Sequence, residues 1–96
     1  MGVDLNRNFN ISFGTTSSDD PCSITYHGLK PFSEPETQAL RLGLERAMKD
    51  HKKKMVYMSV HSYTQKWMFP NGHTKSQSKD HMDLKYVAQK AVDALR

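Results

Sequence analysis

The run Met55-Val56-Tyr57-Met58-Ser59-Val60 constrains this 96-residue chain more than any other feature. It is nearly continuous in apolar side chains and has the length of a strand, as expected where a parallel sheet is covered on both faces. Upstream, Ser33-Glu34-Pro35-Glu36 reads as a capping box with proline in the first turn. A helix should follow, with Leu40, Leu44, Ala47 and Met48 at three- and four-residue steps and an end near Asp50. Downstream, Trp67-Met68-Phe69 reads as a second short strand, closed by the turn signal in Pro70-Asn71-Gly72. Asp80 should cap a last helix that carries Leu84, Val87, Ala88, Ala91, Val92 and Leu95 on one face. Val3-Asp4-Leu5 is a further strand candidate, after which turn formers dominate through Pro21. Strand, helix, strand, helix defines an α/β chain, and no repeat or linker divides it.

Composition limits what such a chain can bury. Leu, Ile, Val and Phe together make up 18 of the 96 residues, just under the roughly 20% below which a packed core becomes hard to build. One thin domain at most is expected, with part of its packing missing. No apolar run approaches the roughly 18 residues of a membrane span. No basic-then-apolar leader opens the chain, and Asn6 breaks the myristoylation pattern that begins at Gly2. A membrane is therefore not an expected partner, and no signal peptide is read here. The net charge of +4 collects in His51-Lys52-Lys53-Lys54 and in lysines from Lys75 to Lys90. No aromatic or groove-reading motif accompanies it, so nucleic acid is not an expected partner either. Asn10-Ile11-Ser12 is an N-glycosylation sequon, meaningful only in the secretory pathway. Cys22 is the only cysteine, either a buried thiol or half of a pair whose partner lies elsewhere.

Two polar clusters follow candidate strands, where α/β sheets bind their ligands. In the first, Arg7 offers a planar fork suited to a carboxylate or phosphate, and Asn6 adds an amide donor. The competing reading pairs Arg7 with a structural aspartate. In the second, His61 ends the apolar run and meets Ser62-Tyr63. Its imidazole either faces a metal or nucleophile at the sheet rim or is a buried histidine bonded to backbone. None of the five histidines has Glu or His three or four positions on, so no local zinc signature exists. Ser62 lacks a nucleophile elbow.

Four segments taken together carry a resemblance: Gly2-Val3-Asp4-Leu5-Asn6-Arg7-Asn8-Phe9, Pro21-Cys22-Ser23 with Tyr26-His27-Gly28, Phe32-Ser33-Glu34-Pro35-Glu36, and Ser59-Val60-His61-Ser62-Tyr63-Thr64-Gln65. In this order and spacing they strongly resemble the secreted, pancreatic-type zinc metallocarboxypeptidases of the A and B group. The resemblance implies a largely parallel mixed sheet flanked by helices in three α/β/α layers, of which residues 1–96 would be roughly the middle third. It implies that Asn6 and Arg7 grip the terminal carboxylate of a peptide or protein substrate, that Ser62 and Tyr63 line the cleft, and that His61 is one of three protein ligands to Zn2+. It also implies cis bonds at Ser62-Tyr63 and Pro70-Asn71. The other two zinc ligands would lie upstream of Met1, with the general-base glutamate and the specificity residues beyond Arg96. Cys22 would pair with a cysteine outside this chain. The expectation is a secreted zinc metallocarboxypeptidase present as a truncated chain that is inactive alone. The alternative is a non-catalytic module that binds C-terminal carboxylates.

Overall fold

The computed structural model describes residues 2–50 and 56–95. The chain divides into two compact units, Met1–Met58 and Ser59–Arg96. In the first, the Asp4 carboxylate caps a 3₁₀ helix, Leu5–Arg7, by accepting the Asn6 N–H at 3.0 Å. The Asn8 N–H closes the turn on the Leu5 carbonyl at 3.2 Å. The Asp4 N–H reaches the Tyr26 carbonyl at 2.8 Å, and a single parallel bridge joins Ser18 to Tyr26.

Asn8 is fully buried and ties this unit together. Its Nδ2 donates to the His27 carbonyl at 2.7 Å, the Ser33 hydroxyl at 2.8 Å and the Lys30 carbonyl at 3.2 Å. Its Oδ1 accepts from Thr37 Oγ1 at 2.7 Å and the Glu34 N–H at 3.3 Å. The network leaves no room for a side chain at Gly28, whose φ is +84°. A Cβ there would stand 2.6 Å from Ser33 Oγ and 2.9 Å from Asn8 Nδ2.

The expected first helix is present as α1, Pro35–Asp50. Pro35 takes the first helical position, where its missing N–H removes no bond. The capping box does not form. Ser33 Oγ accepts from Asn8 and donates to Glu34 Oε1 at 2.7 Å, so the buried amide draws it away from the helix end. The Glu34 carbonyl instead receives the Gln38 N–H at 3.1 Å and Thr37 Oγ1 at 3.0 Å. Thr37 is buried and Leu44 and Ala47 half-buried along one face, while Met48 is largely exposed. On the outer face Arg41 Nε donates to Glu45 Oε1 at 2.8 Å. This bond, then the Arg41 charge, hold the Glu45 carboxyl below its ordinary range; slight desolvation opposes them and Lys49 adds to them.

In the second unit α2 spans His81–Ala94. Asp80 occupies the cap position, and its carbonyl takes the Leu84 N–H at 2.9 Å, but its side chain makes no capping bond. Ala88 is buried and Leu84, Ala91 and Val92 half-buried, whereas Val87 and Leu95 face solvent. The inner stripe is thus narrower than the apolar pattern implies. Trp67, Phe69, His81, Ala88 and Val92 line a shallow groove, where the Phe69 and His81 rings lie 5.5 Å apart.

The expected strands are not seen among the described residues. Residues 56–60 form no ladder and are all exposed, Val56 at 85% and Val60 at 88%, while Met55 lies outside the described residues. Residues 3–5 and 67–69 form no ladder either. A strand exists only with a neighbour to take its backbone N–H and C=O groups, and no described segment provides one. Ala88 is the one buried apolar residue described.

Two substitutions separate crowding from backbone conformation. Gly14 also has a positive φ, +77°, but only His27 Nε2, at 3.8 Å, lies near its missing Cβ. In urea unfolding, Gly14→Ala should cost about 1 kcal/mol, and Gly28→Ala, which adds overpacking, about 2–4 kcal/mol. Equal losses would contradict the crowding. The Arg41–Glu45 pair has a pH signature. Glu45 is depressed in the folded helix, so the pair contributes fully above the ordinary glutamate range and loses its effect as pH falls through the depressed value. Arg41→Gln should raise the Glu45 midpoint in an NMR titration.

Candidate functional site

Asn6 and Arg7 occupy the last two positions of the 3₁₀ helix in the first unit. Asp4 holds them there: Oδ1 binds the Asn6 N–H, and Oδ2 lies 3.9 Å from Arg7 Nε. That second contact is an ion pair too long for a hydrogen bond, so the structural-aspartate reading of Arg7 is met in part. Arg7 Nε is buried without a hydrogen-bond partner. Among the described residues the guanidinium makes one hydrogen bond, from Nη1 to the Asn6 carbonyl at 3.3 Å. Its side chain is 36% exposed. A half-exposed fork with most donors uncommitted, beside an exposed Asn6, has the chemistry to receive an oxyanion.

Asp4 was not singled out by the sequence reading. The signal was present, since an Asp two residues before a turn N–H is a standard Asx cap. Asn8 was missed because nothing local marks an asparagine whose partners lie 19 to 29 residues on.

His61, Ser62 and Tyr63 lie in the second unit and all three are exposed, Tyr63 at 88%. His61 Nε2 sits 3.0 Å from Ser59 Oγ. His61 is therefore not the buried, backbone-bonded histidine of the competing reading. The Ser62–Tyr63 and Pro70–Asn71 bonds are both cis, as the resemblance implies. A catalytic zinc takes three protein ligands and keeps one position open. Among the described residues no group of three His, Cys, Asp or Glu side chains could hold a metal ion. His61 alone does not fit a zinc site. Cys22 is exposed rather than a buried thiol. No helix among the described residues is long and apolar enough to cross a membrane.

The pattern of the zinc carboxypeptidase family matches residues 1–96. Carboxypeptidase B2 from Homo sapiens is 46% identical over 99 residues, covering 99% of this chain and 22% of that protein. Carboxypeptidase A2 from Rattus norvegicus is 41% identical over 97 residues, covering 100% of this chain and 22% of that protein. The structure of bovine thrombin-activatable fibrinolysis inhibitor, solved in complex with tick carboxypeptidase inhibitor, superposes with a TM-score of 0.88 at 45% identity. It covers 98% of this chain and 31% of the solved one. The chain belongs to the zinc carboxypeptidase family, whose members are metal-dependent hydrolases acting on peptide C-termini. It spans 22% of the length of these curated relatives. The structural likeness is consistent with an α/β fold, although the sheet itself is not formed by the described residues.

Removing the cap should loosen the turn that presents Arg7. In Asp4→Ala the Asn6 amide should exchange with solvent several-fold faster, as expected on loss of a hydrogen bond worth about 1 kcal/mol. Unchanged exchange at Asn6 would show that Asp4 does not hold the turn.

Proposed function

We propose that this chain is part of the catalytic domain of a secreted zinc-dependent metallocarboxypeptidase, and that it contributes the carboxylate clamp and one metal ligand. Arg7 and Asn6 grip the substrate's terminal carboxylate by charge-assisted hydrogen bonds, which registers the chain end and makes the enzyme an exopeptidase. Ser62 and Tyr63 line the cleft, and His61 is one of the three zinc ligands of the complete enzyme. The observation that carries this reading is Arg7, whose guanidinium keeps most of its donors free in a chain that matches the family along its whole length. The clamp needs nothing beyond residues of this chain. Metal chemistry does, since one exposed imidazole cannot hold a catalytic zinc. Cys22 pairs with a cysteine outside residues 1–96.

On this reading the isolated chain does not turn over. The alternative, a self-standing module that binds C-terminal carboxylates, requires an autonomous core. The exposure of Val56, Val60, Tyr63 and Met68, each above 70%, argues against one. Calorimetry with a short peptide, which should detect binding of the free acid and not of its C-terminal amide, tests the clamp under both readings, and cooperative thermal unfolding of the chain alongside such binding would favour the self-standing module. Arg7→Gln should weaken that binding by roughly 10- to 100-fold, as for losing hydrogen bonds between charged groups. Equal affinity for acid and amide would remove the clamp. In the same preparation supplied with zinc, no C-terminal amino acid should be released. Release that His61→Ala abolishes would refute the inactivity of the isolated chain.

A further inference from the structure

We propose that Asn10 is an N-glycosylation acceptor, an inference that rests on the secreted reading above. Of the four asparagines in the chain, only Asn10 is followed by a non-proline residue and then serine. The structure adds what the tripeptide alone cannot. Asn10 is exposed at a bend leading into the turn of residues 11–14, and Ile11 beside it is 80% exposed. The Asn10 carboxamide makes no hydrogen bond among the described residues, and neither does the Ser12 hydroxyl. Two residues earlier, Asn8 has every polar side-chain atom committed to the buried network.

The turn itself is held without either acceptor side chain. The Ser12 carbonyl takes the Thr15 N–H at 3.2 Å and Thr15 Oγ1 at 2.7 Å. A sugar on Asn10 Nδ2 therefore displaces no native hydrogen bond and points from surface already in water. The position suits a modification installed on the nascent chain, because the fold that forms afterwards must leave the glycan outside. In the transfer, Asn10 Nδ2 attacks the anomeric carbon of a lipid-pyrophosphate-linked oligosaccharide. A carbon–nitrogen glycosidic bond forms, the carbon–oxygen bond to pyrophosphate breaks, the lipid pyrophosphate leaves with the electron pair, and the amide loses one proton. A bulky polar group next to Ile11 also screens exposed apolar surface in a chain that has much of it.

The test is translation of the full chain behind a supplied, cleavable secretory signal into endoplasmic-reticulum microsomes, with a control sequon appended at its C-terminus. Signal cleavage reports entry into the lumen. The translocated chain should show two upward mobility steps, both removed by peptide-N-glycosidase, which leaves Asn10 as aspartate in the released peptide. Asn10→Gln and Ser12→Ala should each lose one step and Ser12→Thr should keep both. Signal-cleaved chain modified at the control sequon but never at Asn10 would overturn the proposal. Modification behind the supplied signal, together with an unglycosylated, cytosolic protein made from the native full-length message, would uphold the acceptor and overturn the secreted reading instead.

Discussion

A carboxamide has two N–H donors and an oxygen with two lone pairs, and Asn8 uses all of them in a site from which water is excluded. Its donors satisfy carbonyls at His27 and Lys30 and the hydroxyl of Ser33, and its oxygen accepts from Glu34 and Thr37. No other side chain of this size both donates and accepts in that pattern. Aspartate would set a carboxylate against two carbonyl oxygens, and leucine would leave several buried partners unpaired at about 1–3 kcal/mol each. Much else in the first unit follows from this amide. Gly28 must lack a Cβ because the amide and Ser33 fill the space. Thr37 must be buried because its hydroxyl completes the acceptor side. Ser33 gives up its role as a cap because its oxygen is already engaged.

The turn that carries Asn6 and Arg7 depends on the same amide at one remove. Asn8 directly follows the 3₁₀ helix that carries Asn6 and Arg7, and its backbone N–H closes that helix on Leu5. Asp4 fixes the other end. Arg7 is thus presented between a capped start and a buried anchor, while its guanidinium remains half-exposed with donors to spare. A fixed backbone with a charged head that keeps donors free limits the entropy lost when an anion is captured. Phe32, whose N–H binds the Asn8 carbonyl at 2.7 Å, has its ring covered by the Arg41 guanidinium at 5.0 Å and meets the Phe9 ring edge-on at 5.7 Å. These contacts tie α1 to the loop that follows Arg7.

Local features were legible in the sequence, and features needing distant partners were not. Pro35 and the spacing of Leu44 and Ala47 located α1, because helical hydrogen bonds close within four residues. The stripe through Leu84, Ala88 and Val92 located α2 for the same reason. Both cis bonds came from the resemblance, since nothing in Ser62-Tyr63 or Pro70-Asn71 alone requires them. The run at 55–60 has the composition of a covered strand, but a ladder lies between strands and not within one, and residues 56–60 have no partner among the described segments. Asn8 escaped detection because its role is defined by five groups far along the chain. Arg7 and Asn6 could be proposed as a carboxylate or phosphate site from residue type, and as a carboxylate site from the resemblance, but their support by Asp4 needed coordinates.

The candidate residues of the two units differ in what holds them, and that difference bears on what a chain of this length can do. Asn6 and Arg7 sit in a turn whose hydrogen bonds all end within the first unit, so their geometry is a local property. His61, Ser62 and Tyr63 sit in exposed chain, where the Ser59 hydroxyl is the one side-chain hydrogen-bond partner of the imidazole among the described residues. On the proposed reading His61 is a metal ligand, and one held so loosely loses affinity, because the ordering entropy falls on the binding event. On the same reading, carboxylate recognition draws on a locally held turn, whereas metal binding needs more than His61 supplies. The apolar faces of residues 56–60 point to the same division. A ladder there would require neighbouring strands, which no described segment supplies.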